Sequence, residues 1–221
     1  TYIYYGRYYR EKRDFDNMMK YYLMALELGN SHACNSIGAY YEDENDYDNM
    51  IKYYLMGVEH GNDLSMYNLG CYYDDQQDYD NMIKYYLMAI EKGNSNAMNR
   101  LAGYYNSIND YDNMMKYCLM AIDLNDGFAM FNLGSYYKNN GDEDNMIKYY
   151  MMAIVMKNSD AMGELGIYYF VKKDYDNMMK YYLMASELGN SNAMSNLGTF
   201  YEDSKNYDNM MKYWLMATKH G

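Results

Sequence analysis

The acidic run Asp43-Glu44-Asn45-Asp46-Tyr47-Asp48 comes nearest to a metal loop in this chain. A calcium loop needs a glycine at its sharp central turn and a bidentate glutamate at its end. Neither stands in the right frame, so turn and capping chemistry accounts for these acids. Seven Asp-x-x-x-Lys pairs, from Asp16/Lys20 to Asp208/Lys212, have the residue types of a nuclease pair. At i,i+4 on a helix they read instead as surface ion pairs. His32, His60 and His220 fall at scattered positions, and no His-Glu-x-x-His, glycine-rich phosphate loop or Gly-x-Ser-x-Gly elbow occurs. Cys34, Cys71 and Cys118 form neither a disulfide framework nor a metal-ligand spacing, which suits a reduced interior. The chain therefore reads as non-enzymatic, with no metal or other cofactor. The 34 tyrosines could stack bases, but a formal net charge of −12 opposes a phosphate backbone. No apolar run approaches the roughly 20 residues of a membrane span. Neither a basic-then-apolar leader nor an Asn-x-Ser/Thr sequon is present, so a cytoplasmic rather than secreted protein is expected.

These residues sit on a frame that repeats. Asp-Asn-Met recurs at Asp16, Asp48, Asp80, Asp112, Asp144, Asp176 and Asp208, always 32 residues apart. In the unit 31–62, Tyr47, Met50, Ile51, Tyr54, Gly57 and Val58 share one helical face. Asp46 is placed to cap that helix, Asp48 to favour its positive end, and Gly61 to end it. Ala33, Cys34, Ile37, Tyr40 and Tyr41 form the face of a preceding helix, where Gly38 would admit a close neighbour. The short polar connection from Glu42 to Asp46 makes the two helices antiparallel. Each unit is then a hairpin that completes its core only by stacking on others, an α-solenoid of about fourteen helices. The single array of 221 residues divides into a partial unit 1–30 and units 31–62, 63–94, 95–126, 127–158, 159–190 and 191–221. Half of its residues are apolar, enough to bury a core.

The run from Leu69, Gly70 and Tyr73 to Met82, Tyr86 and Ala89 resembles tetratricopeptide spacing. The run Tyr85–Tyr105 is still more similar to Sel-one-like repeats, with an aromatic pair, an alanine, then glycine and alanine four residues later. Gly29 to Ala33, Gly93 to Ala97 and Gly189 to Ala193 reproduce that ending. The resemblance implies an all-α, right-handed solenoid of seven hairpins and an adaptor role, holding another protein or a peptide. The vocabulary rich in Tyr, Asn, Lys and Ile, without Pro, is similar to that of arrays encoded by giant DNA viruses of amoebae, which would place the chain in a host cytoplasm. Thr1 and Gly221 align with positions inside a first helix and at the end of a second. The absence of polar caps there suggests a fragment of a longer array, or ends available for self-association within a larger assembly.

Within this frame the outward positions of the first helices vary most, as a recognition groove would. One such column reads Ile3, Asn35, Tyr67, Asn99, Phe131, Gly163, Ser195, with Arg100 beside it. In the fifth and sixth units Phe128, Phe131, Ile167, Phe170 and Val171 would form an apolar patch, with Lys138 and Glu164 fixing polar contacts. Phe128, Phe131, Ile167 and Phe170 are the expected anchors. On the second helices, Met24 to Met216 are expected as an outward ladder, widened at Met152 by Val155 and Met156. Lys157 stands where a glycine would end that helix, which calls for another residue, such as Asn158, in the left-handed region.

Overall fold

A computed structural model describes residues 2–220, which form fourteen helices and no strand. The register assigned to Thr1 and Gly221 lies outside the described residues. The helices are α1 (Tyr2–Glu11), α2 (Phe15–Glu27), α3 (His32–Asp43), α4 (Tyr47–Glu59), α5 (Asp63–Asp75), α6 (Tyr79–Glu91) and α7 (Ser95–Ser107). They continue as α8 (Tyr111–Asp123), α9 (Gly127–Asn139), α10 (Glu143–Val155), α11 (Ser159–Val171), α12 (Tyr175–Glu187), α13 (Ser191–Asp203) and α14 (Tyr207–His220). They form two compact units, Thr1–Met114 and Met115–Gly221, each of which is described by itself.

Every turn between helices is built the same way. From Arg13 to Lys205, every sixteenth residue has positive φ: glycine at Gly29, Gly61, Gly93, Gly141 and Gly189, and a side chain elsewhere. Lys157 is one of these, with φ of 59°, and Asn158 is free to cap the next helix at φ −72°. The left-handed residue is therefore Lys157 itself. The hydrogen bond from Lys157 N–H to the Ile154 carbonyl, 2.8 Å, closes the helix end without glycine.

The Asp-Asn-Met motif is a helix start. Asp46 Oδ1 accepts from the Asn49 backbone N–H at 3.2 Å, and Asp46 Oδ2 accepts from the Asn49 side-chain amide at 2.7 Å. Asp14, Asp78, Asp110, Asp142 and Asp174 repeat the pair of bonds. Asn49 and its equivalents thus close the cap rather than face a partner. The motif lysine also has a different role from the expected ion pair. No Asp48–Lys52 bridge closes within 4.0 Å, and the Lys52 ammonium lies 5.6 Å from the Tyr53 ring. Lys84, Lys148, Lys180 and Lys212 sit 4.8–5.0 Å from the next tyrosine in the same manner.

Inside each hairpin the first helix offers a glycine to a ring of the second. A Cβ on Gly6, Gly38, Gly70, Gly134, Gly166 or Gly198 would fall 2.2–2.5 Å from the ring of Tyr22, Tyr54, Tyr86, Tyr150, Tyr182 or Trp214. In the same columns the remaining hairpin sequence has Ala102 and Cys118, so the glycine and the ring change together. Further along each hairpin a second pair of rings lies nearly parallel, Tyr41 on Tyr53 at 5.6 Å and Tyr137 on Tyr149 at 5.5 Å. Pairs whose numbers sum to nearly constant values, 38 with 54 and 41 with 53, show antiparallel packing. Ile37, Met50, Tyr54 and Leu69 are fully buried in unit one, as are Leu165 and Tyr150 in unit two. Tyr47, expected in the core, is 48% exposed and leans on Tyr72 of the next hairpin at 6.0 Å. Adjacent hairpins are further tied by cap asparagines, as Asn94 Nδ2 donates to Asp63 at 2.9 Å.

Two outcomes follow. Leu133, 1% exposed, should cost about 2–5 kcal/mol when changed to Ala, and the exposed Lys148 less than about 1 kcal/mol, by urea unfolding. Equal costs would contradict this register. The Asn amide hydrogen bonds hold the carboxyls of Asp46, Asp78, Asp110, Asp142 and Asp174 below their ordinary value. Stability from a lowered carboxyl is fully present above the unfolded-state value and is lost as pH falls through the folded one. The melting temperature should therefore drop on acidification below about pH 4. Asn206 caps α14 by accepting from Asn209 N–H, so Asn at the five Asp positions should flatten that drop. An equally steep drop in the five-Asn variant would assign it to other carboxylates.

Candidate functional site

The outward face of α9 and α11 carries several departures from a polar surface. Phe128 is 66% exposed, Val171 70%, Phe170 45% and Ile167 38%. The helical spacing puts Phe128 at the start of α9, and Ile167, Phe170 and Val171 at the end of α11. Phe131 differs from them. Its ring is half-buried, stacked on Tyr150 at 5.7 Å, and packed against the cluster of Met130, Met146 and Leu165. The expectation that Phe131 stands clear of the core is corrected: Gly134 lets Tyr150 lie flat on α9, and that ring supports Phe131 from below. Lys138 Nζ bridges α9 to α11 through Glu164 Oε2 at 2.5 Å.

Two cavities flank α11. One, of about 230 Å³, lies between α9 and α11 and is lined by Lys138, Gly141, Glu143, Met146, Ile167 and Val171, with Glu164 and Tyr168 at its edge. Glu143 accepts from the Tyr168 hydroxyl and from Lys172 Nζ, both at 2.9 Å. The Lys172 hydrogen bond, then that of Tyr168, holds the Glu143 carboxyl below its ordinary value. The other cavity, of about 480 Å³, opens across Ile167 toward α13, with Phe131, Asp160, Gly163, Glu164, Asn190 and Asn196 among its walls. Asn190 Nδ2 donates to Asp160 at 2.9 Å.

The remaining candidates fall elsewhere. In unit one, Arg100 Nε donates to the Tyr67 hydroxyl at 3.4 Å, joining α7 to α5. Arg100 lines a polar cavity of about 480 Å³ with Asp74, Asn99 and Gly103. That contact with Tyr67 holds the Arg100 guanidinium above its ordinary value. Arg7, Arg10, Lys12 and Arg13 cluster near the start of the sequence, and Arg10 forms an ion pair with Asp43 of the acidic run.

The methionine ladder is half-buried at every step from Met24 to Met216. The exposed apolar column is one residue earlier, Leu23, Leu55, Leu87, Leu119, Met151 and Leu215. Met152 packs against the core cluster of α9 and α10, Val155 is 77% exposed, and Met156 turns toward Gly127, where an added Cβ would stand 2.9 Å from it. Of these three, Val155 and Met156, the latter 43% exposed, stand at the surface, and Met152 is half-buried.

Three segments, residues 31–58, 65–91 and 129–158, match the tetratricopeptide repeat family model. A Sel1 repeat protein from Oxalobacter formigenes superposes with a TM-score of 0.80 at 20% identity, over 99% of this chain and 100% of that one. The chain has the fold of a tetratricopeptide-like, Sel1-like repeat array. A protective antigen of uropathogenic Escherichia coli displaying an SLR fold superposes with a TM-score of 0.75 at 20% identity, over 100% of the array but only 53% of the antigen. The array thus spans about half the length of that relative. Cut9, or its partner Hcn1, in the APC/C hetero-tetramer gives a TM-score of 0.59 at 14% identity, over 93% of the array and 45% of that chain. No curated protein matches the array in sequence. Repeats of this fold generally serve as protein–protein interaction scaffolds.

Glu143, at the start of α10 and in the wall of the α9–α11 cavity, was not singled out by the sequence reading, and Gly163 was named there only as one member of its column. Their signal is in the columns: Glu143 interrupts Phe15, Tyr47, Tyr79, Tyr111, Tyr175 and Tyr207, and Gly163 is the smallest residue of its own column. Phe131→Ala should cost about 1–3 kcal/mol through the lost ring stack and packing, and Phe128→Ala less than about 0.5 kcal/mol. Comparable costs in thermal unfolding would place Phe128 in the core as well.

Proposed function

We propose that the array is a non-enzymatic adaptor that binds a segment of another protein along the groove-side face of its fifth and sixth hairpins. The observation that carries this reading is the exposure of Ile167 and Val171 in the walls of the cavities beside α11, with Phe170 next to them on that helix and Phe128 exposed at the start of α9. Contiguous exposed apolar surface next to concave pockets marks interaction sites, since water gains freedom when a partner covers it. The frame beneath is rigid enough to hold such a surface open: the glycine–ring contacts and caps recur beneath it unchanged. The proposed setting is cytoplasmic. Burial pushes the Cys118 thiol up to about 11, and Cys34 is buried as well, so neither is suited to disulfide chemistry.

Phe128 and Phe170 are the anchors that can be removed without disturbing the core. The double change Phe128→Ala/Phe170→Ala should weaken binding of peptides selected from a random display library by well over tenfold, at about 2 kcal/mol for each anchor. Helicity and melting temperature should remain those of the parent. Selected peptides that bind both proteins equally would place the binding surface elsewhere.

A further inference from the structure

The polar cavity of about 480 Å³ beside α7 is lined from unit one alone. It gathers three positions at which the fourth hairpin departs from the others. Arg100 is the one base in a column that otherwise reads Tyr4, Ser36, Asn68, Asn132, Glu164 and Asn196. Gly103 has no side chain where Arg7, Ala39, Cys71, Ser135, Ile167 and Thr199 have one, and a Cβ there would meet nothing within 4 Å. Ile108, at the end of α7, is the one apolar residue in a column of Lys12, Glu44, Gln76, Asn140, Lys172 and Ser204, and it is 52% exposed. All three line this cavity, with the half-buried Asp74 of α5 and the ring of Tyr79.

The two charges in the cavity are opposite and do not meet. Arg10 closes on Asp43, Lys138 on Glu164 and Lys172 on Glu143, whereas Asp74 and Arg100 make no ion pair within 4.0 Å. Burial, then contact with Cys71, pushes the Tyr86 hydroxyl up; Asp74 adds to that shift and Arg100 opposes it, so both charges act on one hydroxyl. Arg100 is steadied through Nε on the Tyr67 hydroxyl at 3.4 Å, which leaves its terminal nitrogens available to a ligand. Next to it, Asn99 has its Oδ1 buried without a hydrogen-bond partner, so Nδ2 is the end left to the cavity. An acceptor on one wall and donors on another fit a ligand that carries both charges. A lone anion would face Asp74 and the net charge of −12, and a lone cation would face Arg100. A zwitterion is neutral overall and finds a partner for each end. Tyr79 and Tyr104, their rings 5.2 Å apart, and Ile108 supply apolar surface beside these charges. The volume falls in the range of small-molecule sites, roughly 300–1,000 Å³.

We infer that this cavity binds a free α-amino acid. Its ammonium group lies on Asp74, its carboxylate on Arg100 and Asn99 Nδ2, and an aromatic or branched aliphatic side chain lies against Tyr79, Tyr104 and Ile108. A residue inside a protein chain offers neither charge on its backbone, and a chain terminus offers one, so the occupant is the free molecule and not a protein segment. The inference is independent of the groove reading above, because no residue of α9 or α11 lines this cavity.

Titration calorimetry on the whole array tests it, with L-phenylalanine and L-leucine as probes. N-acetyl-L-phenylalanine lacks the ammonium group, and L-phenylalaninamide lacks the carboxylate. The repeat supplies variants that other hairpins already carry in the same columns: Asp74→Asn as at Asn106, Arg100→Asn as at Asn68 and Asn132, and Gly103→Ile as at Ile167. Their helicity should match the parent's. Saturable binding of either amino acid, weakened tenfold or more when either charged end is blocked and in each variant, supports the inference. Gly103→Ile fills the cavity without removing a charge; if it loses helicity, the two charge variants and the blocked ligands decide alone. Three results overturn the inference: no binding at amino-acid concentrations up to about 10 mM, a blocked ligand that binds as tightly as L-phenylalanine, or an affinity unchanged by Asp74→Asn or Arg100→Asn.

Discussion

The contact on which this structure depends is an aromatic ring laid on a residue that has no side chain. In hairpin after hairpin the ring at Tyr54 or its equivalent occupies the space a Cβ would need at Gly38 or its equivalent. Close packing makes such a contact specific, because neither a larger residue under the ring nor a shift along the helix is tolerated. It fixes how near the two helices approach and which residues face each other. The parallel tyrosine pairs, Tyr41 on Tyr53 and Tyr169 on Tyr181, then follow at their own fixed place in each hairpin. The rings are buried deeply enough that their hydroxyls resist ionisation: burial pushes Tyr182 up to about 12.

A frame determined in this way lets its outward positions change freely. The turns recur every sixteen residues and admit arginine, asparagine, glutamine, lysine or glycine in the left-handed region, so they hold the spacing without demanding one residue. The Asp–Asn caps start each second helix from within its own sequence. Against this constancy, single outward positions change by loss as much as by gain. Glu143 stands in the wall of the cavity beside Tyr168 where other hairpins carry a ring, and Gly163 lines the cavity across Ile167. Phe128, Phe170 and Val171 are exposed on the two first helices α9 and α11.

Most of the fold was legible in the sequence because strict 32-residue spacing removes the question of register. Helix type, hairpin pairing, Asp46 as a cap and Gly38 as a point of close approach could all be read from one unit. The errors came where side chains have a choice of partner. Lys52 can reach Asp48 or the Tyr53 ring, and residue spacing does not decide between them; the structure has the ring. Tyr47 follows core periodicity but lies at the first turn, where the ring reaches the next hairpin instead of the interior. The methionine column looked exposed on a helical wheel drawn for a single hairpin, yet stacked neighbours cover it by half. At the candidate site, large apolar residues were visible as additions to the pattern. Glu143 and Gly163 stand where other hairpins carry larger side chains, and their place in the cavity walls becomes apparent only in the folded hairpins.

The central claim, that the glycine–ring contact sets each hairpin, is tested most directly by a double-mutant cycle on Gly166 and Tyr182. The replacements are those the sequence carries in the same columns, Ala102 and Cys118. Urea unfolding would measure the parent, Gly166→Ala, Tyr182→Cys and the double variant. Gly166→Ala alone should cost about 1–3 kcal/mol by overpacking. In the double variant the added methyl should occupy space the ring has left, so its cost should be smaller than the sum of the two by about 1 kcal/mol or more. Costs that add to within about 0.5 kcal/mol would show that the two residues act independently and that the hairpins are set by something else.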